Sequence, residues 1–257
     1  MTSIQELISL NGKTAIITGA SQGIGEAIAR RYHEAGANVV IADLKEEESA
    51  KITEDLNAKR SDSALAIGID VTDTKKSQEL VDQVIEKFGG VDLLVANAGV
   101  FPFARIEDLE ADSLRKVFDI NVVGVHNFLQ PVANHMVETN RKGKIVVTLS
   151  IDAFHASAEG LGAYDTSKHA LHGYMKMAAL EYAKHGIQIN GIAPGGILTP
   201  GVAGGGESSE LSEETPMPLG RWGEADDMAR VALFLGTDLN SYATGSVMIS
   251  DGGTLLT

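Results

Sequence analysis

Short apolar runs alternate with amphipathic helical stretches along the chain, and this alternation constrains the fold more than any other feature. The runs are almost continuously apolar, as expected for strands that are buried on both faces of a parallel sheet. Strands that alternate with helices imply right-handed crossover connections. The sequence therefore predicts an α/β fold, a doubly wound parallel sheet with helices on both faces. The predicted strands lie at 14–18, 38–43, 64–70, 92–99, 144–150 and 187–195.

No Pro/Ser-rich linker, composition break or internal repeat divides the chain, so we expect one domain over residues 1–257. The segment TPGVAGGGESSELSEETPMPLG at 199–220 is irregular, with clustered Gly, Ser and Glu residues and few apolar anchors. It is interpreted as a mobile loop, either a lid over a substrate site or a surface insertion. Long loops of ordered domains are usually functional, which favours the lid.

The composition excludes several classes of function. The formal charge of −14 argues against nucleic-acid binding and against anionic membrane surfaces. The sequence contains 0 cysteines, which excludes disulfides, thiol catalysis and cysteine-ligated metals. No apolar run approaches the roughly 20 residues that cross a bilayer, and the N-terminus has no signal-peptide pattern. A cytoplasmic location is therefore expected.

A glycine-rich turn, TGASQGIG at 18–25, joins the first strand to the first helix. Its glycines allow the backbone to approach a pyrophosphate at the helix N-terminus; a plain tight turn is the alternative. Asp43 ends the next strand, 18 residues beyond Gly25, where a carboxylate accepts hydrogen bonds from an adenosine ribose. A carboxylate there repels a 2′-phosphate, and Gln22 is uncharged, so NAD is favoured over NADP. Lys45 lies close enough to keep NADP open.

The motifs and their order resemble the short-chain dehydrogenase/reductase family in its single-domain, Rossmann-type form. The matching segments are TGASQGIG, Asp70-Val71, the NAG turn at 97–99, Asn121, YDTSK at 164–168, PGGILT at 194–199 and TGSVMISDGG at 244–253. The resemblance is collinear over nearly the whole chain and implies a nicotinamide cofactor. The cofactor-binding residues that it implies, together with the ribose-binding Asp43, are Gly19, Ser21, Gln22, Gly23, Ile24, Gly25, Leu44, Asp70, Val71, Asn97, Ala98, Gly99, Tyr164, Lys168, Pro194, Gly195, Ile197 and Thr199.

Hydride transfer from an alcohol needs a group that takes the hydroxyl proton. Tyr164 and Lys168 are four residues apart, so on a helix they share one face. A free phenol has a pKa near ~10, and a nearby ammonium and a positive nicotinamide favour its phenolate. The resemblance also gives Lys168 the nicotinamide ribose. Asn121 would organise a water that relays protons to Lys168.

The serine that the family places 13 residues before the tyrosine is missing, because that position is Ile151. Ser150 is one residue too early, and a one-residue slip in a strand turns a side chain to the opposite face. A local bulge could restore Ser150, or a neighbour such as Asp152, His155 or Ser157 could supply the contact. Otherwise the protein has lost efficient catalysis and acts as a nucleotide-binding sensor or assembly subunit.

We expect Phe101, Asp152, His155 and Gly196 to contact substrate, a mixture that does not separate sugars from hydrophobic alcohols. His169 and His172 lack partners for a metal site, so no metal is expected. The helix after Tyr164 carries an apolar stripe wider than one core face needs, formed by Leu171, Tyr174, Met175, Ala178 and Tyr182. Ordinary core explains it, but the family pattern pairs this helix across a dimer interface, so we expect a homo-oligomer, a tetramer.

Overall fold

The computed structural model describes residues 1–203 and 217–257. The strands are β1 (Thr14–Thr18), β2 (Asn38–Asp43), β3 (Ala64–Gly68), β4 (Leu93–Ala96), β5 (Lys144–Thr148), β6 (Gln188–Pro194), β7 (Ile197–Leu198), β8 (Gly223–Glu224) and β9 (Val247–Ser250). The helices are α1 (Ile4–Ile8), α2 (Gly23–Glu34), α3 (Glu46–Lys59), α4 (Thr74–Phe88), α5 (Ala111–Phe118), α6 (Gly124–Glu138), α7 (Gly162–Tyr182), α8 (Pro200–Ala203) and α9 (Ala225–Gly236). Single turns of 3-10 helix lie at Ile151–Ala153, Ala183–His185 and Thr254–Leu256, and a π-helical turn at Asp119–Val123 joins α5 to α6.

Seven of these strands form one parallel sheet in the order β3-β2-β1-β4-β5-β6-β9, while β7 and β8 pair separately. This confirms the predicted doubly wound α/β fold. The strand order reverses between β1 and β4, which pair directly through Ile16 and Leu94. In such sheets the crevice at the carboxyl ends of the strands beside this switch point is where ligands bind.

Two apolar layers cover the sheet. Ile16, Leu94 and Ile145 pack on one face with α4, α6 and α7, whereas Ile17 and Val95 pack on the other with α2, α3 and α9. Both sets are almost fully buried. Alternate residues of one strand therefore enter opposite cores, which fixes the strand register and the positions of the loops at the crevice.

Four predicted strands extended too far at their carboxyl ends. The structure ends β3 at Gly68, β4 at Ala96, β5 at Thr148 and β6 at Pro194. The chain leaves the sheet at these points to form the loops of the crevice. Buried residues such as Leu149, whose backbone N–H still donates to Ile192 O at 2.8 Å, continue the apolar pattern beyond the ends of the strands, so the pattern alone did not reveal the boundary.

Only the ends of the predicted mobile loop at 199–220 belong to the described residues. Pro200–Ala203 forms α8, and Met217 is buried at the other end. Residues 204–216 lie outside the described part of the chain, so the lid interpretation stays a prediction.

Candidate functional site

The glycine-rich turn lies at the carboxyl end of β1 and leads directly into α2. Gly19 and Gly23 have positive φ angles of 65° and 60°, which side chains other than glycine rarely adopt. A Cβ at Gly25 would lie 2.2 Å from the Gly19 carbonyl oxygen and 2.7 Å from Asn97 Nδ2. The turn is therefore closed tightly on itself, and the first turn of α2 presents backbone N–H groups to the crevice, as phosphate binding requires.

The Asn97 side chain ties together the three strands beneath this crevice. Its Nδ2 donates to the backbone oxygens of Thr18 at 3.1 Å and Gly19 at 3.0 Å. Its Oδ1 accepts from the Thr148 hydroxyl at 3.2 Å. The amide thus holds the glycine turn, the NAG turn and the end of β5 in one arrangement, a function that the motif by itself did not indicate.

Asp43 and Lys45 bring opposite charges to the edge of the glycine turn. The Asp43 carboxylate accepts from the backbone N–H of Ser21 and of Lys45, both at 3.0 Å. Lys45 Nζ donates to Gln22 Oε1 at 2.8 Å. A ribose bound here would contact the Asp43 carboxylate, while the Lys45 ammonium is hydrogen-bonded to the Gln22 side chain.

A cavity of about 550 Å³ extends from this edge along the predicted cofactor residues. At its far wall the Asp70 carboxylate accepts from the backbone and hydroxyl of Thr72, and these two hydrogen bonds lower the pKa of Asp70. Leu44 is largely exposed beside it. The predicted cofactor residues that line this cavity are Gly19, Ser21, Gln22, Gly23, Ile24, Asp43, Leu44, Asp70, Val71, Asn97, Ala98, Gly99 and Thr199.

A second cavity of about 380 Å³ has Tyr164 and Lys168 in its lining. It shares Ile24, Asn97, Gly99, Phe101 and Thr199 with the first, so the two are continuous. Its further lining residues include Ser150, Ile151, Asp152, Leu161, Tyr164, Lys168, Pro194, Gly195, Gly196, Ile197 and Trp222. An elongated ligand in the first cavity can therefore place its far end beside Tyr164. The residues present thus fit a dinucleotide cofactor.

Tyr164 and Lys168 lie in the first two turns of α7, which packs beside β5 and β6. Lys168 is 4% exposed, and its Nζ donates to the backbone oxygen of Thr148 at 2.8 Å. The same nitrogen lies 5.5 Å from the centre of the Tyr164 ring. The predicted pair thus meets on one face of the helix.

Burial dominates the electrostatics of this pair. It raises the pKa of the Tyr164 phenol above its ordinary value and lowers the pKa of Lys168 to about 8. Desolvation disfavours both charged forms, so burial opposes the lowering of the phenol pKa that a nearby ammonium favours. The Ser150 hydroxyl opposes the rise in the pKa of Tyr164, whereas the carboxylates of Asp152 and Asp165 add to it.

Ser150 faces the Tyr164 phenol although it stands one position early in the sequence. Its hydroxyl accepts from the Asp152 backbone N–H at 3.2 Å, and it opposes the rise in pKa that burial causes at Tyr164 and at Asp152. The hydrogen bond from the Asp152 N–H caps the 3-10 turn Ile151–Ala153. The residue count between Ser150 and Tyr164 is thus accommodated by a helical turn and loop after the strand, and Ile151 also lines the cavity.

Asn121 lies in the π-helical turn between α5 and α6 and is fully buried. Its Oδ1 accepts from Val100 N–H at 2.8 Å, and its Nδ2 donates to Val100 O at 2.9 Å and to Ser167 Oγ at 3.0 Å. Insertion of a residue into a helix often marks a functional position. The amide thereby joins the residue after the NAG turn to the residue before Lys168.

The predicted substrate residues divide into three that line the cavity and one behind it. The Phe101 ring meets the Tyr164 ring edge to face at 6.0 Å, and Asp152 contributes a carboxylate. Gly196 permits close packing, since a Cβ there would lie 2.6 Å from the Trp222 ring. His155 does not line the cavity but approaches Asp152.

Trp222 and Leu161 also line the cavity and were missed by the sequence analysis. Neither lies in a motif, and Trp222 reaches the site from a segment far along the chain. The single tryptophan of the sequence, placed shortly after the irregular segment, was the one available signal.

Residues 1–203 and 217–257 contain no cluster of three or more His, Asp or Glu side chains able to hold a metal ion. The two histidines of α7 have other contacts: His169 Nδ1 lies 2.9 Å from the Asp165 backbone oxygen, and His172 packs against the Phe154 ring. Within the same ranges, no helix combines the length and apolarity that a membrane span requires.

The fold and the site together define a nucleotide-binding α/β protein with a buried tyrosine–lysine pair at the end of its cofactor cleft. A family profile described as Enoyl-(Acyl carrier protein) reductase matches residues 19–254. An L-rhamnose 1-dehydrogenase (NADP(+)) from Thermoplasma acidophilum is 35% identical and aligns over 97% of this chain and 99% of its own. An L-rhamnose 1-dehydrogenase (NAD(P)(+)) from Sphingomonas is also 35% identical, covering 95% and 96%.

Solved structures agree with this match. A short-chain type dehydrogenase/reductase from Mycobacterium marinum superposes with a TM-score of 0.94 at 33% identity, covering 99% of this chain and 100% of that one. A gluconate 5-dehydrogenase from Burkholderia cenocepacia, in complex with NADP and tartrate, gives 0.92 at 30% identity, covering 99% and 100%. The chain belongs to the short-chain dehydrogenase/reductase family, and this membership supports an oxidoreductase that acts on CH–OH groups.

Proposed function

We propose that this protein interconverts a secondary alcohol or sugar hydroxyl with its carbonyl by hydride transfer, with NAD as cofactor. The meeting of Ser150, Tyr164 and Lys168 in a cavity continuous with the nucleotide cleft carries the proposal. Relatives named as L-rhamnose and gluconate dehydrogenases support sugar or polyol substrates.

The glycine turn, Asp43, the NAG turn, Lys168 and the segment 194–199 would hold the cofactor, whose nicotinamide supplies the hydride acceptor or donor. Tyr164 takes the proton from the substrate hydroxyl during oxidation and returns it during reduction. Lys168 stabilises the phenolate by charge.

Ser150 holds the substrate oxygen with its hydroxyl. Asn121 fixes Val100 and Ser167 around this centre, and its Oδ1 retains a lone pair for the water that the sequence analysis assigns to it.

NAD is the proposed cofactor because Asp43 places a carboxylate where NADP carries its 2′-phosphate. The relatives named above use NADP or either cofactor, and Lys45 is the cation that could serve a phosphate. The repulsion between the Asp43 carboxylate and a 2′-phosphate costs more binding free energy than the Lys45 ammonium would contribute, since exposed ion pairs contribute about 1 kcal/mol or less. We expect a higher kcat/KM with NAD than with NADP on one substrate.

The test is NADH formation by purified protein across polyols, aldoses and secondary alcohols. Tyr164→Phe and Ser150→Ala are compared with exposed controls, Tyr242→Phe and Ser61→Ala. We expect Tyr164→Phe to abolish turnover and Ser150→Ala to lower it by ~100-fold, the loss typical of a deleted oxyanion donor. Cofactor binding should survive in Ser150→Ala.

A nucleotide-binding protein without efficient catalysis is the competing proposal, motivated by the Ile151 offset. Binding of NADH without turnover on any substrate of the panel would support this alternative and contradict the oxidoreductase. If only Tyr164→Phe loses activity, Ser150 does not carry the contact and a neighbour does.

A homo-oligomer, expected as a tetramer, is part of the same proposal. The predicted apolar stripe is part of the hydrophobic core at three positions, Leu171, Met175 and Ala178, which are buried. Instead Met177 and Leu180 on α7 are 54% and 71% exposed, and exposed apolar side chains on one helix favour association. Light scattering of the purified protein measures its oligomeric state. The cytoplasmic location stays a prediction.

A further inference from the structure

Asp152 brings a carboxylate into the cavity that contains Tyr164. It is the one acidic side chain among the described residues that line this cavity, whose other walls are largely apolar. Its side chain is 13% exposed. Charged groups are rarely buried to this extent without partners. Burial raises the pKa of Asp152 and the Ser150 hydroxyl opposes that rise, so a substrate donor would add a second stabilising contact to the carboxylate.

The segment that carries Asp152 is fastened at both ends. At one end Ser150 caps the 3-10 turn that contains it. At the other end, the backbone N–H and hydroxyl of Ser157 donate to the Asp165 carboxylate at 3.0 and 2.9 Å. Asp165 follows Tyr164 on α7, so Asp152 is held in a fixed relation to the phenol.

His155 lies next to the Asp152 carboxylate but does not line the cavity. Its Nε2 lies 3.5 Å from Asp152 Oδ1, which is long for a hydrogen bond. This nitrogen is buried and has no hydrogen-bond partner in the described part of the chain. A small movement of either side chain would bring this nitrogen into hydrogen-bond range of the carboxylate.

The Asp152 charge works against the chemistry of its neighbour. Burial raises the pKa of Tyr164, and the Asp152 carboxylate adds to that rise, which opposes the phenolate needed for alcohol oxidation. A hydroxyl of the bound substrate that donates a hydrogen bond to Asp152 would partly neutralise this charge. The effect of Asp152 on the pKa of Tyr164 would then be smaller. A substrate with one hydroxyl, held by Ser150 and Tyr164, leaves Asp152 without that donor.

We propose that Asp152, oriented by His155, accepts a hydrogen bond from a second substrate hydroxyl on the carbon next to the reacting one. The preferred substrates are therefore vicinal diols, as in sugars and polyols, and simple secondary alcohols are poor ones. This inference rests on the proposed oxidoreductase function. Phe101 and Trp222 supply apolar surface for the carbon side of such a substrate.

The test compares 1,2-cyclohexanediol with cyclohexanol, which differ by the second hydroxyl. We expect wild type to prefer the diol at least tenfold in kcat/KM. Asp152→Asn keeps the shape and removes the charge; it should lower kcat/KM for the diol at least tenfold, mainly through KM. The ratio of kcat/KM for the diol to kcat/KM for cyclohexanol should therefore fall at least tenfold. The matched control is Asp82→Asn, an exposed carboxylate on α4.

His155→Gln tests the positioning residue and should raise KM for the diol more than KM for cyclohexanol. Equal preference in wild type, or equal losses on both alcohols in Asp152→Asn, would overturn the inference. The proposed function fails only if no substrate of the polyol, aldose and secondary-alcohol panel turns over. If these two alcohols alone are inert, diol binding in the presence of NADH, followed by Trp222 fluorescence, still decides the inference. Tighter diol binding by wild type than by Asp152→Asn upholds it; equal affinities overturn it.

Discussion

Substituting alanine for Gly25 should damage both the stability and the nucleotide site. The added Cβ would lie 2.2 Å from the Gly19 carbonyl oxygen, 2.7 Å from Asn97 Nδ2 and 2.9 Å from Ala20 Cα. Two of these atoms belong to backbone that is held by β1 and by the Asn97 hydrogen bonds. They cannot move without displacing the glycine turn.

The magnitude follows from the cost of overpacking, which is typically about 1–3 kcal/mol. Because the clashes involve backbone atoms, we expect Gly25→Ala to lower the free energy of unfolding by about 3 kcal/mol. In a protein of this size each kcal/mol lowers Tm by about 2–4 °C, so Tm should fall by about 6–12 °C. Gly173→Ala is the matched control, since a Cβ there meets nothing within 4 Å. It should gain up to about 1 kcal/mol from helix propensity.

Thermal unfolding with and without NAD measures both effects. At a ligand concentration of 100 times Kd, binding stabilises wild type by about 2.7 kcal/mol. A displaced turn that weakens binding tenfold would reduce this to about 1.4 kcal/mol at the same concentration. Size-exclusion elution checks that Gly173→Ala leaves the assembly intact. A Gly25→Ala protein with wild-type Tm and NAD stabilisation would refute the reasoning.

Three further predictions concern the charged and buried groups of the site. Lys168 loses its proton near pH 8 in the folded protein and near pH 10.5 in the unfolded chain. The free energy of unfolding of wild type should therefore rise with pH between these two values, relative to that of Lys168→Met. Urea unfolding at several pH values measures this difference. Asp43→Ser should raise the NADP-to-NAD ratio of kcat/KM at least tenfold; an unchanged ratio would contradict the assigned repulsion. Ser167→Ala removes one of the two acceptors of Asn121 Nδ2 and should lower the free energy of unfolding by about 1 kcal/mol in chemical denaturation.

The sequence by itself determined the architecture and the residue types of the site. Apolar runs separated by helical stretches allow few arrangements, because parallel strands must be covered on both faces and crossovers are right-handed. The glycine turn and the YDTSK spacing depend on local geometry, a tight turn and one helical face, so short segments were enough to reveal them. Both types of signal are read within a few residues.

Tertiary structure decided which side chains meet. Counting along the chain placed Ile151 at the position of the missing serine, but in the folded chain Ser150 lines the same cavity as Tyr164 and opposes the rise in its pKa. Folding also brings Trp222 and Asp152 to this cavity. Burial, which no local pattern measures, set the sign of the pKa shifts of Tyr164 and Lys168. These properties depend on distances between segments remote in sequence, and only the folded chain fixes those distances.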